Sequence, residues 1–265
     1  MLIDTHAHLN FKDYQDDLEP VIKRAVKEKV HKIICVSSNL AESEKAIAVA
    51  KKYPGIVFPA VGIHPQQTDP ENKKTVQVQV QELEKLAENK EVVAIGECGL
   101  DYSPAPPGEK DRSHEEQFFL FKKQIKLAKK LNLPLLVHCR KATEDTIKVL
   151  KRHFNQLNNR LAGIWHCYYA GKKEVAKIEQ FGFYFGITGN LTYDLGLQNV
   201  VKEIPLEKIV LETDCPFLSP EPHRGLRNEP KNVKIIAECL ARIKDVSFEE
   251  ISKITTKNAE NLFKV

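Results

Sequence analysis

A (β/α)8 barrel is the fold class that this 265-residue sequence predicts, on three observations. Apolar runs rich in β-branched residues recur at 2–9, 31–38, 56–63, 92–97, 134–139, 162–168, 183–187 and 209–214, eight in all. Segments with helical spacing separate most of them, and strands alternating with helices form parallel βαβ units. No glycine-rich phosphate turn follows an early run, as a doubly wound open sheet would require, and the length suits a barrel of roughly 250 residues. The expectation is one domain, 1–265, built on eight parallel strands.

The first run, "LIDTHAHLN" (2–10), reads as a strand whose face carries Asp4, His6 and His8 while Ile3, Thr5 and Ala7 point the other way. A helix over "LEPVIKRAVKEK" (18–29), a second strand and a helix over "ESEKAIAVAKKY" (42–53) follow. The third run ends at "VGIHP", where Pro65 stiffens the turn that carries His64. In the fourth, Val93, Ile95 and Glu97 share a face, and "DYSPAPPGEKDRSHE" (101–115) is the longest irregular stretch. After the helix "EEQFFLFKKQIKLAKKL" (115–131), parity groups Leu136 with His138, and in the next run Ile164 with His166. The helix "KEVAKIEQF" (173–181) precedes the seventh run, and in the eighth Val210, Glu212 and Asp214 align. The tail reads as two extra C-terminal helices, the second opened by a capping box of Ser247 and Glu250.

Composition narrows the class. With 42% hydrophobic residues and no apolar run near the roughly 20 residues a span needs, no membrane partner is expected. A histidine-bearing strand begins at residue 2 with no basic segment before it, so no signal peptide is expected. The net charge of +4 fits an anionic substrate without demanding one. Six cysteines without a CxxC pair argue against a disulfide framework or a zinc ribbon and point to a reducing cytoplasm.

The ionisable residues His6, His8, Glu97, His138, His166 and Asp214 all fall near the C-terminal ends of predicted strands, where barrels build active sites. A single histidine on an apolar strand is more often a satisfied core residue than a ligand. Six ligand-type residues agreeing in rim position and parity reverse that balance. A nitrogen and oxygen donor set without thiolates suits two divalent ions with a carboxylate between them. Two ions about 3.5 to 4 Å apart activate water and stabilise the attacking and leaving oxygens of an in-line displacement, which is hydrolysis. Asp4 and Glu212, one pleat lower, are expected to orient ligands. Arg140 faces the same way as His138 and can fork onto a phosphate. Cys98, Cys139, Cys167 and Cys215 each follow one of the six directly, so parity turns them outward as small hydrophobes. Trp165 packs under a helix, and His31, His114, His153 and His223 have no matching partners.

The motifs "DTHAHL", "GIHP", "AIGECGLDY", "LPLLVHCRKA", "WHCYYAG", "LETDCPFLSP" and "RGLRNEP", in that order between residues 2 and 263, resemble the TatD-type metal-dependent nucleases. The resemblance implies that His6, His8, Glu97 and Asp214 hold one ion and Glu97, His138 and His166 the other, with Glu97 bridging; Mg, Mn and Zn all suit. It implies a contact of His64 with the scissile phosphate or an extra metal, and substrate binding by Arg224, Arg227 and Asn228, unless these only pin a loop. Cys98 departs from the small or apolar residue usual in that family.

The function so implied is phosphodiester hydrolysis, as an exonuclease on single-stranded or damaged DNA with RNA as an alternative. Asp214 would take the proton from the attacking water, and a monomer suffices. The stretch 101–115 would decide between exonuclease and endonuclease if it closes one end of a groove. Two rival readings stand beside it. A related barrel hydrolase would cleave esters or amides, such as an aminoacyl ester on tRNA. Its relatives often bridge their metals with a carbamylated lysine, whereas Glu97 stands in that place here. A non-catalytic binding protein on an inherited barrel would be expected to have lost at least one ligand.

Overall fold

The structure, a computed structural model, describes residues 1–67, 75–104, 112–154 and 162–265. Its sheet consists of β1 (Leu2–Ala7), β2 (Val30–Val36), β3 (Val57–Val61), β4 (Ala94–Asp101), β5 (Leu135–Arg140), β6 (Gly163–Trp165), β7 (Tyr184–Ile187) and β8 (Ile209–Leu211). These eight strands pair in chain order, all parallel. Helices follow successive strands: α1 (Leu18–Lys27), α2 (Leu40–Lys52), α3 (Val76–Ala87), α4 (His114–Leu131), α5 (Thr143–Phe154), α6 (Lys172–Glu179) and α7 (Leu195–Val201). After β8 the chain ends in α8 (Val233–Lys244) and α9 (Phe248–Phe263). Among the described residues no helix is long and apolar enough to cross a membrane.

The barrel closes between its first and last strands through few bonds. Asp214 N–H donates to His6 O at 2.9 Å, His8 N–H donates to Cys215 O at 2.8 Å, and Ala7 pairs with Cys215 in an isolated parallel bridge.

The core has two layers, and parity sorts the strands into them except in β1 and β4, where register shifts leave Ile3 in the lumen and Ile95 in the outer layer, against the faces expected of them. Ile3, Ile34, Val36, Ala60, Ala94, Leu136, Ile164 and Val210 fill the lumen, and α9 packs Ala259, Leu262 and Phe263 against them. Their alternating neighbours, among them Leu135, Val137, Trp165 and Leu211, pack outward in the cluster shared with the helices. Caps mark the helix starts. Ser247 Oγ accepts from Glu250 N at 3.1 Å, half of the expected box, and a full box of Ser113 and Glu116 opens α4.

Four of the strand ends that differ from the sequence reading bear on a site residue. β1, β6 and β8 stop before His8, His166 and Asp214. At Cys167 (φ 45°) and Asp214 (φ 53°) the backbone turns into the left-handed region and leaves the sheet. By contrast β4 runs on to Asp101, paired with Arg140, four residues past the expected end at Glu97. Gly99 allows this, because its φ of 149° and the His138 carbonyl beside it leave no room for a Cβ. Of the irregular stretch 101–115, residues 105–111 lie outside the described residues.

Candidate metal centre

The structure brings the six predicted residues together at the C-terminal end of the lumen. Glu97 reaches into the middle from β4, and its two oxygens face different histidines. Oε2 lies 3.7 Å from His6 Nε2 and 3.9 Å from His8 Nε2. Oε1 lies 2.7 Å from His138 Nδ1 and 3.7 Å from His166 Nε2. Asp214 Oδ1 stands 3.4 Å from His8, 3.6 Å from His166 and 3.8 Å from His6.

Most of these separations are too long for hydrogen bonds. They do match donors around a common ion, since atoms bound at about 2.1 Å to a tetrahedral centre stand about 3.4 Å apart. Among the described residues, His6, His8 and Glu97 form one group able to hold a metal and Glu97, His138 and His166 another, and no cysteine belongs to such a group. The donor chemistry and spacing therefore fit divalent ions.

The charges respond to this crowding. Burial pushes His138 down, but Glu97 and Asp101 on either side carry it up to about 9. His166 is likewise penalised by burial and raised by Glu212, Asp214 and Glu97 to about 10. Burial works against the ionised Glu97, yet His138 and His6 hold its carboxyl well below the usual range. His64 goes the other way: burial and the neighbouring His138 lower it to about 3. Its ring meets that of His138 edge to face at 4.2 Å, and its Nδ1 accepts from Gln66 N at 3.2 Å, which puts the proton of the neutral ring on Nε2.

The parity reading passed over Asp101. Its Oδ2 lies 3.0 Å from His138 Nε2, so His138 is clamped between two carboxylates, and Asp101 also joins His64 and His138 in a third possible donor group. The signal was present: Asp101 lies four residues beyond Glu97 on the same strand face, and ending that strand at 97 hid it. Two glutamines of α4 position this rim. Gln117 bonds both N and O of Asp101, and Gln124 both N and O of Ile63, all at 2.9 Å. Each replaces a neighbouring strand's peptide group.

The two lower carboxylates act differently from each other. Glu212 Oε1 sits 2.8 Å from His166 Nδ1, in the orienting place expected for it, and Gly186 opposite leaves no space for a Cβ. Asp4 touches no ligand ring. It accepts from His6 N at 3.3 Å, Thr213 N at 2.9 Å and Thr213 Oγ1 at 2.6 Å, which ties β1 to the chain after β8. The cysteines correct parity once. Cys98, Cys139 and Cys215 pack outward, whereas the left-handed backbone at Cys167 puts its Sγ 3.7 Å from Thr188 Oγ1 at the rim. Burial, with Asp214 and Glu212 nearby, keeps that thiol protonated.

The family model for TatD-related DNases matches residues 3–264. The chain belongs to the TatD-related DNase family. It is 40% identical over its whole length and that of the relative to YabD of Bacillus subtilis, named as a metal-dependent hydrolase. To the human deoxyribonuclease TATDN3 it is 35% identical, covering 99% of this chain and 94% of that one. Among solved structures, the TatD homologue YjjV of Escherichia coli superposes with a TM-score of 0.87 at 28% identity, covering 100% of this chain and 98% of that one.

Around the mouth of this TatD barrel, the four residues other than His64 that were assigned to substrate diverge. Arg140 is exposed at the end of β5, and Arg224 is exposed with its guanidinium over the Tyr193 ring at 4.2 Å. The other two make bonds within the protein, as the loop-pinning alternative expects. Arg227 grips both oxygens of Asp17 at 2.8 and 2.6 Å. Asn228 is fully buried, donating to Thr213 O and Phe217 O and accepting from Glu229 N and Asn232 Nδ2. An amide with all its bonds made inside the fold has none left for a ligand.

Proposed function

We propose that this TatD-family protein is a divalent-metal-dependent phosphodiesterase that removes nucleotides from the ends of single-stranded or damaged DNA, with RNA as the alternative substrate. One observation carries the reading. Glu97 turns one oxygen to the His6 and His8 pair and the other to the His138 and His166 pair, as a carboxylate shared by two ions does. His6, His8, Glu97 and Asp214 would hold one ion, and Glu97, His138 and His166 the other. Bound there, two ions supply an activated water and a counter-charge to the attacked phosphate. The family description and the name of human TATDN3 support DNA as the substrate class.

The chain's own groups then divide the work. Asp214, held ionised against burial by His166 and His8, accepts the proton of the attacking water. His64 stays neutral and offers Nε2–H to a non-bridging phosphate oxygen. Arg140 and Arg224, exposed at the mouth, are left to meet the phosphates that follow. Asp101 and Glu212 keep the His138 and His166 rings aimed. The free thiols support a reducing compartment such as the cytoplasm, and a monomer carries the whole donor set.

The test is hydrolysis of end-labelled single-stranded DNA by metal-stripped protein refilled with Mg, Mn or Zn, beside Glu97→Ala. Laddering from one end that needs metal and vanishes in the variant is the expected result. Absence of cleavage with every metal, with two ions bound, would overturn the nuclease reading and redirect the assay to acyl esters.

A further inference from the structure

Phe217 is 52% exposed, one of eight large apolar side chains in that state among the described residues. A scattered exposed apolar residue needs no explanation. This one flanks the metal centre. Its ring centroid lies 6.2 Å from that of His8 and 6.2 Å from that of Phe11, and Phe11 is itself stacked on His8 at 4.4 Å and 23°. A step of aromatic surface thus leads from a candidate ligand out to solvent.

The backbone holding this step is braced from two sides. Phe217 N donates to Asp214 O at 2.9 Å, Phe217 O accepts from Asn228 Nδ2 at 2.6 Å, and Asn228 N donates to Pro216 O at 3.0 Å. The turn that follows Phe11 is tied to the same place. Tyr14 Oη donates to Asn228 O at 2.6 Å, and Arg227 reaches across to Asp17 while lying over the Tyr14 ring at 4.9 Å. The committed roles of Arg227 and Asn228 acquire a purpose in this light: they lock two loops together with an aromatic face left outside. A hydrophobic ring fixed in advance meets its ligand with little ordering left to do.

A flat apolar face beside a centre for phosphodiesters matches one chemistry, a nucleobase joined to the phosphate being cut. Base stacking on aromatic rings is tolerant of sequence, since every base has a π-face. We propose that Phe217, backed by Phe11, is the stacking face for the base of the nucleotide whose phosphate enters the metal centre. The inference rests on the nuclease reading and adds that the base taken is at a strand end, because a base in the interior of a duplex has neither face free to offer.

Two measurements test it on Phe217→Ala, with Phe217→Tyr as the conservative variant. In the first, short single-stranded oligonucleotides with phosphorothioate linkages and 2-aminopurine at one end or the other are mixed with the Mg-loaded protein. Quenching of one of them by the wild type and by Phe217→Tyr, lost in Phe217→Ala, is the expected result. In the second, hydrolysis of single-stranded DNA gives KM raised about tenfold in Phe217→Ala, with kcat within about twofold, and both restored by tyrosine. Unaltered quenching together with unaltered KM in Phe217→Ala, or no quenching by the wild type, overturns the stacking role. A wild type that quenches but cuts nothing with any metal supports the stacking face and overturns the nuclease reading instead.

Discussion

The lower lumen of the barrel and its upper rim are built on the same strands and follow opposite rules. In β5, Leu136 joins the apolar filling and His138, one pleat above it, joins the donor cluster; Ile164 and His166 repeat the pattern after β6. Below, side chains are dry and interlocked, so the energy of the layer is burial and dispersion. Above, five histidines and the carboxylates of Glu97, Asp101, Glu212 and Asp214 crowd together. Such a set is favourable only because protons or metal ions lie between the charges. The apolar floor is what lets the rim carry that load, since it anchors each strand where parity delivers the ligand.

Substitutions break this contrast at decreasing scale. Glu97→Gln keeps shape and removes the shared charge. We expect metal content, read by elemental analysis, to fall below two ions, and hydrolysis to drop on the order of 10³-fold or more. Full stoichiometry in this variant would mean that rim and floor do not differ as described. Leu136→Ala should instead act on folding, costing about 2 to 5 kcal/mol in urea unfolding through the cavity it leaves, with the folded fraction still taking up metal.

Asp101→Asn sits between the two. It leaves His138 in place but slackens its clamp, and a loss of about 10- to 100-fold in metal affinity is expected by chelator competition. An unchanged affinity would make Asp101 a bystander.

The smallest effect is a slope with pH. In the metal-stripped protein His138 and His166 titrate at about 9 and about 10, above the ordinary 6.5. Folding therefore takes up protons. The stability these groups contribute is fully present below pH 6.5 and is lost as pH rises through their folded values. Thermal melts across that window should show a falling Tm without metal. Added metal should flatten or reverse the slope, because it displaces the same protons.

Much of this architecture was legible in the chain. Eight apolar runs separated by helical spacing identify the barrel, and position at the strand ends picks His6, His8, Glu97, His138 and His166, which the fold brings together, although a register shift in β4 parts Glu97 from the face of Ile95. The misses have local causes. Asp101 escaped because the fourth run was ended at residue 97, whereas Gly99 permits β4 to run on tight against His138. Asp214 was picked by a parity that its left-handed backbone does not follow, and Cys167 was misdirected by the same kind of turn. For Arg227 and Asn228, position near the mouth was readable but commitment to Asp17 and to neighbouring backbone was not.

By itself the sequence determined the number and order of strands, the strand ends at which ligand-type side chains gather, and the family, because side-chain alternation and helical period are set within a few residues of chain. Only the tertiary structure decided that the ends of β1 and β8 meet through Asp214 and His6, that Glu97 divides its oxygens between two histidine pairs, and that two loops hold Phe11 and Phe217 beside them. Those are relations between segments as much as 208 positions apart, as Asp214 and His6 are, and they follow from the register in which a closed sheet brings its strands together.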